Sequence, residues 1–81
     1  MNKFIDITNN LVETLKQYDL KNIDIPDNEQ TEILNVVIEL NAIIYATKEL
    51  TNIKNKEINK YLFNNLDIGI DELIELESYL Y

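Results

Sequence analysis

The chain has 81 residues, 46% of them hydrophobic, and sets fifteen Asp and Glu against seven Lys for a net charge of −8, with no His and no Cys. That length makes one domain, 1–81, with an apolar share sufficient for a core but with little stability to spare. Disulfides and thiolate metal sites are excluded, and the carboxylate excess works against direct nucleic-acid binding, because Lys and Arg supply most of the affinity for phosphates.

Phe4, Ile7, Leu11, Leu15 and Tyr18 recur at helical spacing and predict a helix over 3–18. Asp19-Leu20-Lys21-Asn22 ends it, with Asn22 suited to a left-handed cap. Ile23-Asp24-Ile25-Pro26 reads as extended, since the residue before Pro is steered away from helix. Ile23 and Ile25 are expected to fold back on the core or to form a short strand-like edge. The opening MNKFIDITNN carries Asp6 and no long apolar run, unlike a signal peptide, so a cytoplasmic location is expected.

Asp27 followed by Gln30 has the spacing of a capping box, with Glu29 favourably set against the helix dipole. The second helix is therefore predicted from Asn28 to Glu49 or Leu50. Within it, Ile33–Ala46 has eleven apolar residues among its fourteen. Glu32, Asn35, Glu39, Ala42, Ala46 and Glu49 share one narrow stripe, and most of the remaining circumference is Ile, Leu, Val or Tyr. A helix apolar on so many sides is expected to be packed on several of them. A membrane span would need roughly 20 apolar residues free of charge, and Glu39 interrupts this run, so no membrane association is expected. Asn41 lies within the apolar arc. It suits either an amide bonding across the core or a device that fixes register in a helical homodimer.

Thr51-Asn52 is a weak break, after which Ile53, Ile58, Tyr61, Leu62 and Phe63 predict a third helix over 53–65; one bent helix from 28 to 65 is the alternative. Asn64 to Gly69 holds the chain's one glycine and predicts a turn. Asp71 is expected to cap a fourth helix, with Leu73, Leu76 or Ile74, and Leu80 facing inward. The expected fold is all-α: a small antiparallel bundle of four helices, or of three with one long and bent.

Chemistry finds little purchase in these residues. Without His or Cys, and with Ser78 as the one serine, the usual nucleophile–base pairs cannot form. The carboxylate pairs Glu72/Glu75 and Glu29/Glu32 sit in strongly charged segments, whereas acid–base work needs one partner in an apolar pocket. Asn64, Gly69 and Glu75 are spaced as in a calcium loop, but Leu66 and Ile68 occupy positions that must coordinate. Neither catalysis nor a metal or cofactor is expected.

Asp67-Ile68-Gly69-Ile70-Asp71-Glu72-Leu73 resembles the Asp-x-Gly-x-Asp-Ser-Leu motif of acyl carrier proteins, which are acidic four-helix domains of about this length. Ile23-Asp24-Ile25-Pro26-Asp27 is similar to the segment after their second helix. The resemblance implies a carrier-like domain, yet Glu72 stands where the phosphopantetheine serine belongs, and the two segments occur in reversed order.

The charge itself is the remaining signal. Residues 24–47 and 61–81 each carry −5 without a single base, while 48–60 carries +2. On a helix, Asp71, Glu72, Glu75 and Ser78 lie about 5–6 Å from their i+3 and i+4 neighbours, and the carboxylates among them can imitate a phosphate track. Asp67, Asp71, Glu72, Glu75 and Glu77, with Glu29 and Glu32, are therefore the candidate partner-binding acids. Tyr79 and Tyr81 are candidate aromatic anchors. The function expected is a non-enzymatic interaction module that engages a basic protein. An inhibitor of a nucleic-acid-binding protein would fit, as among immunity, anti-repressor or phage anti-defence proteins. The alternative is a structural protein that homodimerises through its second helix.

Overall fold

The computed structural model describes residues 2–81. Among the described residues there are four helices: α1 (Asn2–Leu15), α2 (Gln30–Leu50), α3 (Asn55–Leu66) and α4 (Ile70–Leu80), with a 3-10 turn at Asp27–Glu29 before α2. The fold is a small all-α bundle. No helix among the described residues is long and apolar enough to cross a membrane.

At 1.5 Å per residue the 21 residues of α2 are about 31 Å long, most of the molecule's 37 Å long dimension. Both of its strongest partnerships, with α1 and with α4, lie along this length. α3 packs instead against α1 and α4. Consecutive in sequence, α2 and α3 are thus not principal neighbours, and the bundle departs from a simple up-and-down order.

The core explains the spacing. Phe4, Val12 and Leu15 from α1 meet Ile33, Val37, Leu40 and Ile44 from α2, Ile58, Leu62 and Leu66 from α3, and Ile70, Leu73 and Leu76 from α4. Each is one helical turn or two from the next in its own helix, so each helix contributes one stripe. A fully buried aliphatic side chain contributes about 1.5–3 kcal/mol. The ring of Phe4 stands edge-on to Tyr61 at 5.9 Å, which joins α1 to α3. Thr8 is the buried polar residue of α1, and its hydroxyl donates to the Phe4 carbonyl at 2.8 Å.

Several boundaries and caps differ from expectation. α1 stops at Leu15 rather than residue 18, because Asp19 closes a tight loop: its carboxylate accepts from the Asn22 backbone N–H and side-chain amide. The left-handed residue is consequently Ile23 (φ 53°), not Asn22. Ile25 returns to the core, and Asp19 and Asp24 form an isolated antiparallel bridge. At the start of α2 no side chain caps the backbone; Gln30 donates instead to the Asp27 carboxylate and the Ile25 carbonyl, both at 3.3 Å. The single bent helix is not formed. Thr51 is extended (φ −135°, ψ 174°); its hydroxyl donates to the Thr47 carbonyl and accepts the Ile53 N–H, giving the chain an alternative to helix.

α2 is also less enveloped than its composition predicts. Ile33, Val37, Leu40 and Ile44 are buried on one face, Leu34, Val36, Asn41 and Ile43 are half-buried, and Ile38 (36%) and Tyr45 (68%) are exposed. With two principal helix neighbours, only the arc between them is closed.

Candidate interaction groove

The corner between α3 and α4 is built by three devices. Asp67 takes the left-handed conformation (φ 60°) and its N–H donates to the Phe63 carbonyl, ending α3. Gly69 follows with φ −106°, a backbone any residue adopts. Its reason for being glycine is proximity: a Cβ there would stand 2.7 Å from the Phe63 ring and 2.8 Å from Asn59 Oδ1. Asn59 occupies that space because its Oδ1 accepts the Ile70 N–H at 2.8 Å, satisfying one of the unpaired donors at the start of α4. Glu72 turns back to accept the Gly69 N–H at 3.3 Å. The expected cap, Asp71, lies inside the first turn, and Gly69, Asn59 and Glu72 cap α4 between them.

Against this corner lies the loop after α1. Leu20 is buried, and Ile23 is held by its own N–H donating to the Leu20 carbonyl at 3.2 Å and by the Asp24 N–H donating to Asp19 at 2.9 Å. A β-branched residue with positive φ is uncommon and costs on the order of 1–3 kcal/mol, offset by the surrounding contacts. Between loop and corner runs a groove of about 360 Å³. Leu20, Ile23, Phe63, Ile68, Leu76 and Tyr79 give it apolar walls, and Lys21, Asp67, Glu72 and Glu75 its charged rim. Glu72, Glu75, Leu76 and Tyr79 fall together because they recur at i, i+3, i+4 and i+7 on α4. Phe63 and Tyr79 stay 48% and 67% exposed, a large aromatic surface left uncovered.

The rim is short of counter-charge. Among the described residues there are two ion pairs, Lys16–Glu13 at 3.5 Å and Lys21–Asp67 at 3.9 Å. The second crosses the groove mouth between side chains 66% and 76% exposed, where such a pair contributes little.

Of the candidate acids, Asp67, Glu72 and Glu75 reach the groove, and Tyr79 joins them. Asp71 is exposed beside it. Glu77 is half-buried at the α2–α4 seam, where it accepts from Asn41 Nδ2 at 2.9 Å. Asn41 also donates to the Leu73 carbonyl at 3.3 Å, so its amide bonds within the fold across two helices, while its Oδ1 is buried with no partner among the described residues. Glu29 accepts the Tyr18 hydroxyl at 2.5 Å and is half-buried beyond the groove, and Glu32 is exposed on α2. Tyr81 is exposed at the end of the chain.

That hydrogen bond, first, and then burial and the negative charge of Glu29 and Glu32, push the Tyr18 phenol above its ordinary value. Asp19 is shifted the other way, below the ordinary carboxylate range, chiefly by the Asn22 side-chain amide and then by its backbone N–H. The loop beneath the groove is thus held by a charge-assisted hydrogen-bond pair.

Sequence reasoning overlooked Leu20, Lys21, Ile23, Phe63, Ile68 and Leu76 as groove residues. The hint was the Ile-Asp-Ile-Pro segment, expected from sequence to fold back on the core; which corner it would face is not a local property. Comparison with protein-family models, with curated proteins and with solved structures gives no match for this chain.

Proposed function

We propose that this protein is a non-enzymatic interaction module whose acidic surface engages a basic protein, in the manner of an inhibitor of a nucleic-acid-binding protein. The observation that carries the reading is the α3–α4 corner, where Asp67, Glu72 and Glu75 rim an apolar groove with a single lysine to oppose them. Carboxylates grouped around low-dielectric walls focus a negative field, which attracts cationic partners and repels anionic ones. Glu72 and Glu75, one turn apart on α4, also imitate neighbouring phosphates. Affinity capture from the native host, read by mass spectrometry, is expected to recover basic proteins that release as salt rises from low to physiological strength. Recovery of neutral or acidic partners alone, or retention indifferent to salt, refutes the reading.

A second reading, self-association, has its own observation: Ile38 and Tyr45 on α2 and Ile74 on α4 are exposed apolar side chains. It predicts a dimer in sedimentation equilibrium that Ile38→Glu dissociates. Unchanged mass in the two proteins removes it.

A further inference from the structure

Building on the reading of a basic partner, we infer that the groove between the Leu20–Ile23 loop and the α3–α4 corner receives an amphipathic basic segment of that partner, one apolar side chain seated against the walls and its neighbouring Lys or Arg on the rim. Charge complementarity names the occupant. An apolar ligand alone would leave the rim carboxylates beside a dry surface, and a purely hydrophilic cation would leave Phe63 and Tyr79 uncovered. A segment carrying both features satisfies both. About 360 Å³ lies at the lower end of ligand-sized clefts, matched to one large side chain and the stems of its neighbours.

Two further features belong to the same site. Ile23 holds its place in the wall with a positive φ of 53°, a conformation that Asn or Gly adopts at lower cost. Lys21 reaches Asp67 across the mouth at 3.9 Å and so stands where an incoming cation would go. Relieving the first should leave the free protein no less stable while weakening binding, and removing the second should strengthen binding. A groove that were only a packing defect would show neither effect.

The test titrates the full chain, labelled with nitrogen-15, with three synthetic peptides: an amphipathic one with Lys and Leu on opposite faces, a scramble of it with no apolar face, and an acidic counterpart. The amphipathic peptide is expected to shift the amides of Ile23, Phe63, Ile68 and Tyr79 and to bind roughly tenfold more tightly than its scramble. Tyr79→Ala and Ile23→Asn should each weaken it by about fivefold or more, and Lys21→Ala should tighten it about twofold. Equal binding of amphipathic and scrambled peptides, lost in Glu72→Gln/Glu75→Gln, overturns the groove while the acidic-surface reading stands. Shifts confined to α2 overturn the groove too. Binding of the acidic peptide, or of none, overturns both.

Discussion

Replacing Asn41 by Leu isolates one half-buried amide whose two ends are treated differently by the fold. Its Nδ2 donates to Glu77 at 2.9 Å and weakly to the Leu73 carbonyl, whereas Oδ1 is buried without a partner. Loss of a hydrogen bond to a charged group costs about 1.5–3 kcal/mol, at the low end here because Glu77 is half-buried and regains water. Removing the orphaned acceptor returns about 1–3 kcal/mol, and the new aliphatic surface adds roughly 1 kcal/mol by closing against the seam. The balance favours Asn41→Leu by about 1 kcal/mol, a rise in Tm of roughly 4–8 °C for a domain of this size. Asn41→Asp is the control: it abolishes the donors and sets a second carboxylate against Glu77, which should destabilise by about 2 kcal/mol at neutral pH. Thermal and urea unfolding followed by circular dichroism measure both, with sedimentation reporting the oligomeric state. A loss of more than about 1 kcal/mol in Asn41→Leu would show that Oδ1 does find a donor. A change of oligomeric state would show that the amide sets a register between chains.

Three other outcomes follow from the corner and the loop. Gly69→Ala, although its backbone angles suit alanine, should destabilise by about 1–3 kcal/mol in urea unfolding, because the added methyl displaces Asn59 from the Ile70 N–H and moves Phe63. In a spectrophotometric titration, Tyr18 should ionise above the ordinary tyrosine value, and Tyr18→Phe should abolish that high-pH component. Because the folded value is raised, the stability that Tyr18 contributes is complete below pH 10.0 and disappears as pH climbs through the folded value, so native and Tyr18→Phe proteins should converge in alkali. Asp19 runs opposite: with its folded value depressed, its contribution is present above 3.8 and is lost as pH falls through the folded value, so native and Asp19→Ala proteins should differ at neutral pH and converge in acid.

Much of this molecule is written locally. The four helices, the break at Thr51-Asn52 and the corner at Gly69 follow from periodicity and from backbone preferences that act over one or two turns, and these are where reading and structure coincide. On α4 the sequence leaves Leu76 or Ile74 open as the inward residue, and packing decides it: Leu73 and Leu76 are buried, Leu80 is half-buried and Ile74 is exposed. Caps were less legible. Asn59, which meets the start of α4 from another helix, has no neighbour in sequence to betray its role.

What only tertiary structure decided concerns which surfaces meet. The composition of Ile33–Ala46 cannot say that two principal neighbours leave Ile38 and Tyr45 facing water, because apolar content measures what a helix is able to bury, not how many partners arrive. The groove needs Leu20 and Ile23 to stand beside Phe63, Ile68 and Tyr79, segments drawn from both ends of the chain and brought together by the closure of α1 on α3 and of α3 on α4. Gly69 sits in the turn that the sequence marks, but the need for glycine there comes from across the corner, where a ring and an amide from α3 leave no room for a Cβ. Helical order is fixed by interactions along the chain, whereas a binding surface is fixed by contacts across it.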